Sequence, residues 1–318
     1  MTLIRVLAAG LLSLLGTSLA AAQPGSSQPV RIIVPYAAGG VVDVMNRIMA
    51  LRMAQTLGQP VVVENRPGAN ANIGPAHVMQ APPDGRTILA TASYFSTNPL
   101  IESNLQWAPE KLMPVARFAV SPNVFVVSGK SSSVTLKDYL AEAKASPGKP
   151  IVDAGRGATP TMVQQILADT AGVKFTPIQY KGGVSYVPDL ISGILSGGVA
   201  PLNVALPLVK GGQLHGLAIT SSKRSALLPQ VPTMAELGFP EAAIDSWLGY
   251  HVPAGTPPDV VARLVAAVQD ATSNEETRAK LAALGAESSY LDTSAFKAFL
   301  QNDLTRAQRA VKLSADNR

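Results

Sequence analysis

Two α/β lobes joined by two hinge crossovers are the fold this sequence predicts, and three observations carry the expectation. From residue 30 to residue 91 the chain alternates β-α-β-α-β, the pattern of a parallel sheet with right-handed connections. Two extended runs at 115–127 lead into a stretch of Ser, Gly and Lys at 128–133, after which a second β/α series begins. A further extended run, 246–253, precedes a helical end, 257–313. Two passages between two lobes form a hinge, the architecture for closing around a ligand. The expected division gives 29–122 and 250–318 to the first lobe and 123–249 to the second.

Each element has a local reason. Val30, Ile32, Ile33 and Val34 read as a buried strand, ended by Ala37, Ala38, Gly39 and Gly40. That glycine pair opens a helix over 40–57, in which Val44, Ile48 and Leu51 at i, i+4, i+7 are the expected buried stripe. Gly58 stops it as a left-handed cap. A strand at 61–64, a polar loop at 65–74, a modest helix to residue 81 and a Pro-Asp-Gly turn lead to a strand at 87–91. A turn over 92–99 follows; ligands of open α/β sheets lie beyond the carboxyl ends of strands, so this turn and the first glycine turn are expected neighbours.

In the second lobe the pattern predicts a helix at 136–145, a strand at 150–153 and a second glycine turn, Gly155, Arg156 and Gly157. Thr159 or Thr161 suits the next N-cap, with Pro160 at the first helical position. Strands at 175–180, 199–204 and 214–220, a helix at 184–195, and a proline turn leading into a short helix within 228–238 complete the lobe. Helices over 257–272, 275–284 and 293–313 are expected to return to the first lobe.

The first residues stand apart from this fold. Arg5, an apolar run over 6–19 and three alanines before Gln23 make a secretory signal with an A-x-A cleavage pattern at 1–22. The run is too short to cross a membrane, so the mature protein is expected in the periplasm. With 47% hydrophobic and 15% charged residues the chain is globular rather than disordered. The absence of cysteine excludes disulfides and thiolate chemistry. His77, His215 and His251 have no metal spacing, and no cofactor or metal is expected. The charge of +5 comes without a dense basic cluster interleaved with aromatics, which argues against nucleic-acid binding and mildly favours small anions.

No Gly-x-Ser-x-Gly elbow, His-Glu-x-x-His helix or phosphate loop is present. What remains is two glycine turns at strand-to-helix junctions, where backbone N–H groups and the helix dipole favour an anion. Asp43, in the first turn of its helix, suits a role at the helix dipole. Arg156 has two readings: a fork holding a carboxylate, or a surface or inter-lobe ion pair. Tyr94 and Phe95 have room to stack on a ligand, Phe95 also suiting the core, and Trp247 reads as a hinge or core anchor. Asn70 and Asn72 read as turn formers whose polar side chains could also support a cleft. The alternative function on such a frame is a hydrolase or lyase acting on an organic acid through a cleft Ser or Asp.

Several segments, in order along the chain, carry a family resemblance. They are Val34, Pro35 and Tyr36 with Gly39, Gly40, Asp43 and Arg47; Glu64, Asn65, Arg66, Pro67 and Gly68; and Pro83, Asp84 and Gly85. Then come Tyr180, Lys181, Gly182 and Gly183; Arg224; Pro229, Gln230, Val231, Pro232 and Thr233; Trp247; and Pro253, Ala254, Gly255, Thr256 and Pro257. The chain resembles the extracytoplasmic solute receptors of tripartite tricarboxylate transporters, the Bug receptor family. The resemblance implies a two-lobed periplasmic-binding-protein (Venus flytrap, type II) fold without enzymatic activity, acting as a monomer. It implies capture of a small organic carboxylate and delivery to the membrane subunits of the transporter. Carried onto this chain, the ligand-binding residues are Tyr36, Ala37, Ala38, Gly39 and Gly40, with Ser93 and Tyr94 beside them. Facing them are Arg156, Gly157, Ala158 and Thr159, with Tyr180 and Asn203. The chain departs from family habit at Ala37 and Ala38, at Arg156 to Thr161, where a His is absent, and at Pro201 and Asn203. These departures concern the ligand rather than the fold; the expected class is a small organic carboxylate, with Arg156 pointing toward a dicarboxylate and Tyr94 and Phe95 permitting an aliphatic or an aromatic one.

Overall fold

The computed structural model describes residues 28–155, 157–180 and 184–316. The expected signal peptide at 1–22, Arg156 and Lys181 lie outside the described residues. No described helix is long and apolar enough to cross a membrane.

The first lobe is built on β1 (Val30–Val34), β2 (Val61–Asn65) and β3 (Thr87–Thr91), which pair in parallel with β1 in the centre. Three antiparallel strands extend this sheet. They are β4 (Leu112–Ser121), β10 (Ser246–Pro253) and β11 (Glu287–Leu291), and the full order is β11-β4-β10-β3-β1-β2. β1 and β3 are buried nearly throughout, as central parallel strands must be.

α1 (Val41–Leu57) packs on this sheet and on α8 (Pro258–Ser273), but not with the expected stripe. Met45, Met49 and Met53, one turn apart, are fully buried, whereas Leu51 is 66% exposed. Val44 and Ile48 flank the buried face. The flexible thioethers fill the space between sheet and helix, and that fit overrides the aliphatic pattern.

Asn123 opens β5 (Asn123–Ser128), the centre of the second lobe. β8 (Gly198–Pro201) and β9 (Leu214–Ile219) flank it antiparallel, while β6 (Lys149–Asp153) and β7 (Phe175–Gln179) form a parallel pair. α4 (Leu136–Ala145) and α5 (Thr159–Ala171) bury Leu136, Tyr139, Val163, Ile166 and Leu167 against this lobe's core. α6 (Val187–Ser192) is shorter than the periodicity predicts.

Four elements differ in kind from the sequence reading. Residues 94–101 form α3 (Tyr94–Ile101) instead of a turn; Pro99 pointed away from helix, but it removes only one donor from a short element. The strand expected at 199–204 stops at Pro201, and α7 (Leu202–Lys210) begins at the next residue. β11 forms where no strand was expected, between α9 (Glu275–Ala283) and the last helix. The short helix expected within 228–238 is an irregular turn.

The hinge also shifts. β10 belongs to the first sheet from Ser246 onward, paired with β4 and β3, so the second crossover precedes Ser246 and the expected boundary at 249/250 falls inside a strand. α10 (Thr293–Asp316) does not return wholly to the first lobe. Phe296 packs in a first-lobe cluster with Trp247, whereas Ala307 and Ala310 are buried in the second lobe's core. At about 1.5 Å per residue a helix of 24 residues spans about 36 Å, enough to bridge both lobes. Arg309 on its far half pairs with Asp169 and Glu241 of the second lobe.

Candidate ligand-binding cleft

Between the lobes lies a cavity of about 370 Å³. Four turns line it, each following the carboxyl end of a strand, as expected for an α/β sheet. The turn after β1 gives Pro35, Tyr36 and Ala37, and the turn after β2 gives Pro67, Gly68, Asn70 and Ala71. Ser93, Tyr94 and Asn98 come from the start of α3, and Ala154, Gly155, Gly157 and Ala158 from the turn after β6.

The lobes touch at this cavity. A Cβ added at Gly157 would stand 2.6 Å from Thr97 Oγ1 and 3.1 Å from Ile101 Cδ1, both on α3. Gly157 has φ +81°, a left-handed conformation that L side chains resist. Glycine is therefore required there by both conformation and space.

Tyr36 and Tyr94 form an aromatic wall, edge to face with centroids 6.0 Å apart. Behind Tyr94 stand Trp107, and Phe95 stacked between Trp107 and His251. The Tyr94 hydroxyl donates to the Ala90 carbonyl at 2.9 Å, so Tyr94 is held from within rather than waiting for a partner. Burial pushes both tyrosine hydroxyls well above their ordinary value, and both stay neutral. Phe95 takes the core reading, as does Trp247, whose indole N–H donates to the buried Asp303 carboxylate at 3.1 Å. Burial holds His251 down at about 3, a neutral ring bonded to Thr91 Oγ1.

The turn after β2 is the most unusual piece of backbone. Ala69, Asn70 and Ala71 all have positive φ, 46°, 53° and 66°. Such residues cost energy and persist where the surroundings hold them. Here Asn98, 1% exposed, donates to the Asn70 carbonyl at 2.7 Å and to Asn72 Oδ1 at 2.9 Å. The Trp107 indole donates to the same Asn72 oxygen at 2.8 Å.

None of the described lining residues carries a charge. Positive potential comes instead from the N-termini of α3 and α5, which begin at Tyr94 and Thr159, next to the lining residues Ser93 and Ala158. The turn before α1, which the sequence puts first, is braced from within. Asp43 Oδ2 accepts the Gly39 N–H at 2.9 Å, and Arg47 and Asn65 bond the same carboxylate. Burial works to raise the Asp43 pKa, but these hydrogen bonds and the Arg47 charge carry it below the ordinary value. The site therefore suits an anion held by neutral donors and two helix ends, beside an aromatic wall.

The profile of the tripartite tricarboxylate transporter family receptor matches residues 45–315. The chain belongs to that family. It is a solute receptor of the tripartite tricarboxylate transporter type rather than an enzyme. It is 31% identical to Protein BugT of Bordetella pertussis over 287 residues, 88% of this chain and 87% of that protein. The solved periplasmic binding protein BugD is 30% identical with a TM-score of 0.75, covering 90% of this chain and 97% of that one. A Rhodopseudomonas palustris protein with adipate gives 27% and 0.79, covering 91% and 98%. MatC of the same organism, with bound malate, gives 26% and 0.73, covering 90% and 99%.

Within this receptor, Tyr36, Ala37, Ser93, Tyr94, Gly157 and Ala158 come together at the cavity. Ala38, Gly39 and Gly40 stand outside its lining, because the turn folds back: the Gly40 N–H meets the Ala37 carbonyl. Thr159 is 2% exposed and starts α5 beneath the surface. The Tyr180 hydroxyl is turned to Asp189 at 2.6 Å. Asn203 packs on Gly285, whose added Cβ would meet its N–H at 2.9 Å, at a different inter-lobe contact. The sequence does not single out Gly68, Ala71 and Asn98 as ligand-binding residues, and Asn70, a turn former whose side chain could also support a cleft, lines the cavity. The rule that joined the turns after β1 and β3 applies equally to the turn after β2 and would have found Gly68, Asn70 and Ala71.

Proposed function

We propose that this receptor works as a monomer in the periplasm, captures an organic dicarboxylate in the cleft and delivers it to the membrane subunits of a tripartite transporter. The carrying observation is the cavity between the lobes, uncharged among its described lining residues, with the N-termini of α3 and α5 beside it and the Tyr36 and Tyr94 rings along one wall. Backbone donors and the dipole at helix ends favour a carboxylate there. The adipate and malate in the two related receptors support a ligand with two carboxylates. The apolar wall between the polar turns fits the carbon skeleton of an aliphatic or aromatic diacid.

A thermal-shift and calorimetric series tests this with malate, adipate, phthalate and the monoacid butyrate. At 100 times its Kd a ligand stabilises the folded state by about 2.7 kcal/mol. At least one diacid should raise the melting temperature and bind at one site per chain, with butyrate far weaker. A series in which no diacid binds, or butyrate matches them all, would overturn the proposal.

A further inference from the structure

A second cavity, about 340 Å³, lies at the opposite end of the first sheet, beside β4 and β11, and shares no lining residue with the cleft. Both lobes build it. Arg117, Glu287 and Arg306 come from β4, β11 and α10, and Thr220, Lys223 and Asp245 from the second lobe and its exit toward β10.

Two opposite charges are fixed at its walls. Arg117 donates from Nε to the Ser289 carbonyl at 3.2 Å and from Nη2 to Ser289 Oγ at 2.7 Å, with its guanidinium 4.7 Å from the centre of the Phe299 ring. Asp245 Oδ1 accepts the Thr220 hydroxyl at 2.6 Å, and Thr220 Oγ1 in turn accepts the Asn123 N–H at 2.8 Å. Both charged groups are therefore anchored by neutral partners among the described residues, not by each other. They are still close enough to feel one another. Burial pushes the Asp245 carboxyl up to about 6, with Glu287 adding to the rise and Arg117 opposing it. Burial likewise lowers Arg117, and Asp245 opposes that.

A partly buried guanidinium and a partly buried carboxylate that share a cavity, each hydrogen-bonded to neutral groups, lack a directly paired counter-charge among the described residues. A simple anion would satisfy Arg117 but face Asp245 and Glu287. A simple cation would satisfy the acids but face Arg117, Lys223 and Arg306. A molecule with both ends satisfies both. We propose that this seam cavity is a second ligand site for a zwitterionic α-amino acid, its carboxylate on Arg117 and its ammonium on Asp245. A ligand there spans first-lobe β4 and the second crossover, so its occupancy braces the hinge.

Calorimetry on the full chain at pH 7.5 with L-serine, L-lactate and ethanolamine tests the site, because lactate lacks the ammonium and ethanolamine the carboxylate. Serine should bind, and each one-ended analogue should bind about tenfold more weakly or worse, as losing one charge-assisted contact implies. Ser222→Trp fills the cavity from its exposed lip and should abolish serine binding, with the melting temperature showing that the variant folds. Arg117→Gln and Asp245→Asn should each weaken serine at least about tenfold. The proposal fails if serine does not bind at millimolar concentration, if lactate or ethanolamine matches it, or if serine binding survives in folded Ser222→Trp.

Discussion

The first lobe meets the cleft with three turns tied to one another, whereas the second meets it with one turn tied to its own strand and helix. In the first lobe, Asn65 donates to the Tyr36 carbonyl at 3.1 Å and to Asp43, joining the turn after β1 to β2. Asn98 joins the turn after β2 to α3. In the second lobe, Asp153 Oδ1 accepts the Gly155 N–H and the Thr161 hydroxyl, both at 2.9 Å, and both partners are near it in sequence. The first wall has its ordering cost met during folding, so it can present a fixed surface to any carboxylate. Among the described residues the second wall shows fewer long-range restraints, which leaves it freer to adjust to what the ligand carries.

The largest test of this contrast is Asn98→Ala. It removes the donor to the Asn70 carbonyl and one of the two side-chain donors to Asn72 Oδ1, loosening the network around a left-handed turn. Leaving buried polar groups unmet costs about 1–3 kcal/mol. Relaxation of the three positive-φ residues adds to the change, and ligand affinity should fall with stability. Thr161→Ala in the second wall should cost about 1 kcal/mol, the worth of one ordinary hydrogen bond. Urea unfolding of the two variants decides it; equal losses would mean the walls are alike.

Gly157→Ala comes next, and it should separate affinity from stability. The left-handed backbone costs a non-glycine residue about 1–2 kcal/mol. The added methyl also strikes Thr97 on the other lobe, so closed lobes must part while open ones need not. The expected outcome is a ligand affinity lowered at least about tenfold, with a modest drop in melting temperature. Small-angle scattering with ligand should show a larger radius of gyration than the parent.

These two positions also show what the sequence made legible. The first lobe's β-α-β-α-β start was readable because period-2 and period-3.6 patterns and glycine stops agree there. Glycine turns at strand ends located one part of each wall. Pattern could not show that Asn98 reaches back to Asn70 and Asn72, because that bond depends on α3, which Pro99 disguised. Nor could it show that Gly39 donates to Asp43, so that the glycine pair stands outside the cavity while Tyr36 and Ala37 of the same turn line it. The far half of α10 was assigned to the wrong lobe because a helix carries no mark of what its end will touch.

The contrast extends to acid response, where two aspartates should act with opposite signs. Asp245 has a folded value of about 6, above the ordinary 3.8, because burial disfavours its charge. The folded protein then keeps a proton that the unfolded chain has released, so this contribution is full below about 3.8 and is lost as pH rises through about 6. Asp245→Asn should therefore flatten stability between those values and leave the protein more stable than the parent at pH 7. Asp43 is depressed below 3.8, so its contribution is present above that value and lost as pH falls through the lower folded one. Asp43→Asn should leave the pH 5–7 profile in place but remove part of the loss below 3.8. Melting temperatures across pH 3–8 test both, and a parallel response would mean that Asp245 is solvated rather than held in the seam.

The smallest effect belongs to Arg309, and it tests whether α10 straps the lobes through charge or through packing. Its guanidinium pairs with Asp169 at 2.9 Å and with Glu241, but all three side chains are about half exposed. Exposed pairs contribute about 0.2–1 kcal/mol and are screened by salt. The packing partners are different in kind, since Ala307 and Ala310 are fully buried in the second lobe's core. Arg309→Ala should cost less than about 1 kcal/mol, and the cost should shrink at 1 M salt. Ala307→Asp places a charge in the second lobe's core and should cost several times more, since an unpaired buried charge has no compensation. If the arginine variant proved the worse of the two, the helix would be held by its ion pairs, and salt would be expected to loosen the hinge.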